Sequence, residues 1–293
     1  MKFRSLCAFG AFAVAVTTGH CFNLADYQLV RTHDLDPVAA AEASAVTYNW
    51  DTGTLFVLGD EGDALLEVTT SGVTVSTMTL TGFDDTEGIS YLGGGKFALA
   101  EERLQDIFRL TYVAGGTADR SSLASVSFGA TVGNVGIEGV AYEPATSLFF
   151  AVKEKQNQDI YRAASLDFDL GTATITHPFT PNLGVLDLSD VEVLSKVPSL
   201  AGSGHENNLL IFSQESSKLL EVTRDTGTVI SEFTLAGVTD AEGVTVDSQG
   251  NIYIVGETPR MYVLSAVPEP TAAALGLAAL GAVLLRRRIF PVS

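Results

Sequence analysis

Three glutamates recur at one position of a repeated motif: Glu87 in Asp85-Thr86-Glu87-Gly88-Ile89, Glu138 in Gly136-Ile137-Glu138-Gly139-Val140, and Glu242 in Asp240-Ala241-Glu242-Gly243-Val244. Two weaker copies, Ala43-Ser44-Ala45-Val46 and Leu188-Ser189-Asp190-Val191, carry serine there, and Asp190 can supply a carboxylate from one position on. A second series of acids follows the next apolar run of each unit: Asp60-Glu61, Glu101-Glu102, Glu154, Glu215 and Glu257. Carboxylates brought close together repel and raise one another's pKa unless something compensates. A wide ring of hard oxygen donors with no His or Cys cluster suits calcium rather than zinc or copper. Glu87, Glu138, Glu242 and Asp190 are therefore the expected metal ligands, with Glu102, Glu154, Glu215, Glu257 and Asp60 as a second acidic ring. The alternative needs no metal: each glutamate caps backbone N–H groups, and Arg103, Lys153, Lys155 and Arg260 balance the charge.

The elements that must position these acids are short. Runs such as Thr54–Leu58, Lys96–Ala100, Leu148–Val152, Asn208–Phe212 and Asn251–Val255 are rich in apolar, β-branched and aromatic residues, and turn sequences bound them. Asp51-Thr52-Gly53, Gly93-Gly94-Gly95, Asp225-Thr226-Gly227 and Ser248-Gln249-Gly250 supply hairpin turns. No helical period of useful length appears between residues 26 and 266. The motif position falls at Ser44, Glu87, Glu138, Ser189 and Glu242, with spacings of 43, 51, 51 and 53 residues. Four strands per unit at this period predict an all-β, five-bladed β-propeller. The last unit is only half a blade long, so N-terminal strands, including Tyr27–Val30, are expected to complete it and hide the sheet edge. Six blades is the second reading, if a degenerate unit lies within Thr111–Thr131. In either ring the start of each first strand and the end of each second strand share one end, so both acidic series crowd one face around the axis.

The two ends read as addresses. Lys2 and Arg4 precede the apolar run Leu6–Val16 and the small residues Thr17-Thr18-Gly19, the pattern of a secretory signal peptide over 1–25. At the other end Pro268-Glu269-Pro270 is followed by an apolar stretch over 271–285 and by Arg286, Arg287 and Arg288. As a helix that stretch is about 22 Å long at 1.5 Å per residue, short for a membrane core of roughly 30 Å. The arginines suit the cytoplasmic side. Residues 267–293 closely resemble the PEP-CTERM sorting signal, although Ile289–Ser293 continues past the arginines that usually close it. That resemblance implies an exosortase-type processing enzyme as partner, a transient inner-membrane anchor, and a body (26–266) delivered to the periplasm, the outer envelope or the outside of the cell.

Composition agrees with an exported body. The chain has 293 residues and a formal charge of −18. Lys2, Arg4 and the three terminal arginines lie in the ends, so the body is more acidic still, and nucleic acid is excluded as a partner by phosphate repulsion. Cys7 and Cys21 lie in or near the leader and build neither a disulfide framework nor a thiol site.

From about Ala43 to Leu264 the chain resembles the SdiA-regulated (YjiK-like) family, distant kin of NHL-repeat propellers. The residues that carry the likeness are Asp85–Ile89 with Glu101-Glu102-Arg103, Glu138–Tyr142 with Lys153-Glu154-Lys155, Ser213-Gln214-Glu215-Ser216 with Leu220-Glu221-Val222, and Ala241–Val244 through Val255 with Glu257. It implies a five-bladed propeller and a calcium site at Glu87, Glu138 and Glu242, but no reaction. The expected function is a calcium-binding module or scaffold at the cell envelope, associated with exopolysaccharide. The alternative is a calcium-dependent hydrolase of lactonase, esterase or phytase-like type, with the metal polarising an oxygen. His33, His177 and His205 stand in neither acidic series, which weakens that alternative. A carboxylate-based glycosidase would need stacking aromatics, and Trp50, the single tryptophan, is assigned to an outer turn.

Overall fold

A computed structural model describes residues 22–267 apart from 61, 62, 132 and 156, and Ser165 by its backbone alone. Five antiparallel sheets follow one another along the chain. Blade 1 runs Ala43–Asn49, Thr54–Gly59, Ala64–Val68 and Thr74–Thr81. Blade 2 runs Thr86–Gly93, Lys96–Glu101, Asp106–Thr111 and Ala124–Ser127. Blade 3 runs Ile137–Glu143, Leu148–Lys153, Asp159–Asp167 and Thr172–Thr176. Blade 4 runs Asp190–Val193, Asn208–Ser213, Lys218–Thr223 and Val229–Thr234. Blade 5 takes Ala241–Val246, Ile252–Gly256 and Arg260–Ala266 from the C-terminal part, and its outermost strand is Tyr27–Asp34. The expected closure by the N-terminus is therefore the one observed.

Five blades rather than six follow from the fate of residues 111–131. Thr117–Asp119 adds a short parallel fifth strand to blade 1, and Ala124–Ser127 is the outer strand of blade 2. The first strand of each blade packs on that of the next, and blade 5 returns to blade 1, so the ring closes.

The hydrophobic core is divided into five wedges, one at each seam. Leu55 and Val57 pack with Tyr253, Val255 and Met261 at the blade 5–blade 1 seam, whereas the alternate residues Phe56 and Leu58 pack with Phe97 and Leu99 of blade 2. A strand covered on both faces must be apolar at every position, which is why these strands read as continuous runs rather than alternating ones. Gly53 and Gly250, with φ of 72° and 84°, close inner hairpins in a backbone region that favours glycine.

Trp50 sits on the inner hairpin of blade 1, at the end of the tunnel opposite the starts of the first strands, and is not on an outer turn. Its ring meets Tyr91 edge-on at 4.6 Å, and the Lys196 ammonium lies 5.7 Å from its centroid. Residues 22–25, which the sequence assigns to the leader, belong to the folded body: Phe22 and Leu24 are buried in the blade 4–blade 5 wedge. The remainder of the signal helix and the membrane helix over 271–285, with Pro268, Glu269, Pro270 and Arg286 to Arg288, lie outside the described residues. Among the described residues no helix is long and apolar enough to cross a membrane.

Candidate metal centre

The motif glutamates owe their direction to a bulge. Glu87 falls between the pairs Thr86–Glu101 and Gly88–Ala100, Glu138 between Ile137–Lys153 and Gly139–Val152, and Glu242 between Ala241–Gly256 and Gly243–Val255. Ser44 occupies the same unpaired place in blade 1. In blade 4 the Ser189 N–H donates to the Phe212 carbonyl at 2.9 Å, while Asp190 is the residue paired with Phe212. The extra residue of a bulge is left out of the ladder and re-aims its side chain; the three glutamates face the axial cavity, whereas the Ser44 hydroxyl donates to the Thr86 carbonyl at 2.8 Å. The glycine that follows leaves space for the neighbouring blade. A Cβ on Gly139 would stand 2.4 Å from Asp190 Oδ1, and one on Gly243 2.6 Å from the Ala45 Cα.

These glutamates meet in a cavity of about 460 Å³ at the axis. Asp60, Glu102, Glu154 and Glu257, each one residue past its blade's second strand, line it as well. Two triads stand out, Asp60 with Asp85 and Glu87, and Glu102 with Glu138 and Glu154. Within each, one oxygen per residue lies within 4.8 Å of the others. Two oxygens bound across one calcium at roughly 2.3–2.6 Å lie about 5 Å apart, so each triad fits an ion of that size and donor preference.

Burial followed by the charges of Glu242 and Asp60 pushes the Glu87 carboxyl well up, and burial followed by Glu87 does the same to Glu138. Glu242 is pushed up to about 8 by burial and then by Glu257. Asp85 reaches about 7, raised by burial and Glu102 and opposed by Arg103. Without a cation the site therefore holds protons near neutral pH, and a bound cation would release them.

The available bases do not neutralise the cavity. Arg103 bonds Asp84 at 2.8 Å and Asp85 at 2.9 Å, and Lys155 pairs with Glu154 and, at 2.8 Å, with Glu215. Arg260 turns outward to Asp34 on the outer strand of blade 5, 3.1 Å away. Glu102 Oε1 accepts the Gly136 N–H at 2.8 Å, a contact of the kind the capping alternative calls for.

Two expected residues lie elsewhere. Asp190 is fully buried between blades; its oxygens accept the N–H groups of Val191 and Val244, each at 2.7 Å. Standing one place after the bulge, it lies between the inner strands instead of on the axis. Glu215 is displaced to the rim, because Gln214 holds the place that Glu102, Glu154 and Glu257 hold in other blades. Gln214 Nε2 donates to Glu242 Oε1 at 2.7 Å and to Glu257 Oε1 at 3.2 Å. Glu61 lies outside the described residues. Asp85 and Asn134 were not anticipated. Asp85 is buried two residues before the bulge, and Asn134, with its amide nitrogen turned inward, donates to Asp85 Oδ2 and Glu102 Oε2 at 3.2 Å each. The Asp-x-Glu spacing of the motif is a usable signal for Asp85; Asn134 stands in a loop with no repeat counterpart.

Three residues past the bulge a second tier pins the blades together. Thr47 Oγ1 accepts the Tyr91 N–H at 3.0 Å, Ser90 Oγ accepts the Tyr142 N–H at 2.8 Å, and Thr245 Oγ1 accepts the Tyr48 N–H at 3.1 Å. In blade 4 this place belongs to Glu192, which receives the Thr245 hydroxyl at 2.7 Å and pairs with the buried Lys196 at 2.8 Å.

The model of the SdiA-regulated family matches residues 20–265. Among solved structures, the chain is similar to the glutaminyl cyclase of Myxococcus xanthus, with 13% identity over 82% of this chain and 95% of that one and a TM-score of 0.55. It also matches a luciferin-regenerating enzyme (10% identity, 80% and 94% covered, TM-score 0.49) and virginiamycin B lyase from Staphylococcus aureus (14%, 79% and 68%, TM-score 0.44). The first of these likenesses shows the fold; none extends to chemistry.

Proposed function

Since the chain belongs to the SdiA-regulated family, we propose that it is an exported, calcium-binding β-propeller that serves as a non-catalytic binding or scaffold module of the cell envelope, in the surroundings of exopolysaccharide. The observation that carries this reading is the convergence of Glu87, Glu138 and Glu242, on bulges of three blades, into one cavity that Arg103 and Lys155 do not neutralise. Glu87, Glu138, Asp60, Asp85, Glu102 and Glu154 would hold the ion, and Glu242 and Glu257 would face it. A bound calcium ion supplies positive charge that lets blades 1, 2, 3 and 5 share a crowded axis, and it can polarise a ligand oxygen. Export rests on the N-terminal leader, and processing by an exosortase-type enzyme rests on Pro268-Glu269-Pro270 with the terminal arginines.

The hydrolase alternative needs a proton acceptor beside the metal. The described histidines stand away from the cavity: His33 is on the outer strand of blade 5, His177 pairs with Asp159, and His205 pairs with Glu221. Glu242, on the cavity wall beside Glu257, is the carboxylate placed for that role once a cation has displaced its proton. Lactone or phosphate-ester turnover that needs calcium and vanishes in Glu138→Gln would replace the binding reading with this one.

The deciding measurement is thermal unfolding of the purified protein after chelation and then with added calcium. A calcium-dependent rise in midpoint, lost in both Glu87→Gln and Glu138→Gln, is the expected result. No rise would leave the acids as caps and ion-pair partners.

A further inference from the structure

On the opposite face of the ring, the seam between blades 5 and 1 holds a groove of about 730 Å³ that the axial site does not use. This lies within the roughly 300–1,000 Å³ of small-ligand sites. Its walls come from segments that only ring closure brings together: blade 1 (Tyr48, Gly53 and, from the outer hairpin, Thr70), blade 5 (chiefly Asp247, Asn251 and Tyr253, with Val263 and Ser265 of its third strand), and the N-terminal strand (Val30 and Arg31).

The chemistry of the groove is that of uncharged hydrogen-bonding groups around one free guanidinium. Asp247 carries its only carboxylate, and that group is saturated. It accepts the N–H groups of Gln249 and Asn251 at 2.8 and 2.9 Å, and Asn251 Nδ2 and the Tyr253 hydroxyl at 2.9 Å each. Asn251 Oδ1 in turn accepts the Ser265 hydroxyl at 2.6 Å. Asp247 thus orients the floor, with its oxygens already engaged by protein donors.

Two groups are left over. Tyr48 is 8% exposed, and its hydroxyl reaches the groove with no hydrogen-bond partner among the described residues. That hydroxyl is open to the groove and free to bond a ligand there. Arg31 is exposed and makes no hydrogen bond or ion pair among the described residues, in a chain where Arg103, Arg109, Arg120, Arg162, Arg224 and Arg260 all pair with acids. Its planar fork matches two neighbouring oxygens.

We propose that this seam binds a short oligosaccharide. Adjacent hydroxyls that both donate and accept match the Tyr48 and Thr70 hydroxyls, the Gln249 side-chain carbonyl and the Arg31 fork. A peptide would instead call for apolar pockets or an open strand edge, and Val30 and Val263 are the only aliphatic side chains in the lining. A uronic-acid residue would add a carboxylate for Arg31, and a neutral sugar would use the fork through vicinal hydroxyls.

The test is a glycan array of neutral-hexose and uronic-acid tri- and tetrasaccharides, followed by calorimetric titration of the best binder to the intact protein. Tyr48→Phe removes a hydroxyl that bonds nothing in the protein. It should weaken binding about fivefold to tenfold, the range expected for one hydrogen bond, with an unchanged melting temperature. Arg31→Ala should weaken binding by at least about tenfold, and Lys218→Ala, at an exposed ion pair on blade 4, should leave it unaltered. Binding to none of the glycans, or binding that survives both seam variants, would overturn the proposal without touching the axial reading.

Discussion

Gln214 Nε2 lies 2.7 Å from Glu242 Oε1, joining blade 4 to blade 5 at the register where blades 1, 2, 3 and 5 place an acid. One amide therefore stands where a symmetric ring would add another negative charge. It donates to two carboxylates, Glu242 and Glu257, that would otherwise only repel each other.

Replacing that amide should expose the balance. Gln214→Glu puts a further carboxylate against Glu242, and the chelated protein at pH 8 should lose about 1 kcal/mol, seen as a fall of roughly 2–4 °C in midpoint. Added calcium should reverse most of the loss. Differential scanning calorimetry with and without chelator reads both effects, and a variant as stable as the parent in chelator would show that the ring is not charge-limited.

The raised carboxyls fix the sign of the pH dependence. Glu242 near 8 and Asp85 near 7 hold protons in the folded state that the unfolded chain has already released. The metal-free protein therefore binds more protons folded than unfolded across this window, so its stability falls as pH rises from about 5 to 8. Calcium should flatten the slope. Melting curves at four pH values would show it, and a metal-free stability that climbs over the same window would contradict the site as described.

Gly139→Ala tests the packing that follows the bulge. The new Cβ would meet Asp190 Oδ1 at 2.4 Å and the Asp190 Cα at 2.6 Å. Over-packing of this kind costs about 1–3 kcal/mol. It should also weaken calcium binding, because Glu138 precedes this glycine on the same strand. Urea unfolding and calcium titration of one preparation measure the two losses.

Lys196 and Glu192 form a buried pair below the acidic ring. Removing one partner, as in Lys196→Met, strands a buried charge and should cost about 3–5 kcal/mol. Lys196→Met combined with Glu192→Gln should recover a substantial part of it. A double variant no more stable than the single one would mean that the hydrogen bonds of Glu192 to Val193 and Thr245, and not the ion pair, carry the effect.

Deleting residues 22–34 should make the propeller aggregate. Tyr27–Asp34 covers the strand Arg260–Ala266, and Phe22 and Leu24 fill the wedge between blades 4 and 5. An uncovered strand edge recruits other chains. Size-exclusion chromatography of the deletion decides it.

Much of this was legible in the chain itself. The spacing of Ser44, Glu87, Glu138, Ser189 and Glu242 determines the blade register, because a sheet repeat returns the same side chain to the same place on the axis. The continuous apolar runs of the second strands follow from packing on two faces, and turn sequences such as Ser248-Gln249-Gly250 mark the hairpins. What the sequence could not decide is direction and company. Asp190 and Glu215 are acids one residue away from the right register, and in a strand one residue is the difference between the axis and a neighbouring blade. Arg260 follows an acid in the chain yet faces Asp34, which ring closure brings from the far end of the sequence. The groove between blades 5 and 1 likewise exists only once the N-terminal strand has closed the ring, so its unpaired Arg31 and Tyr48 could be found in the tertiary structure alone.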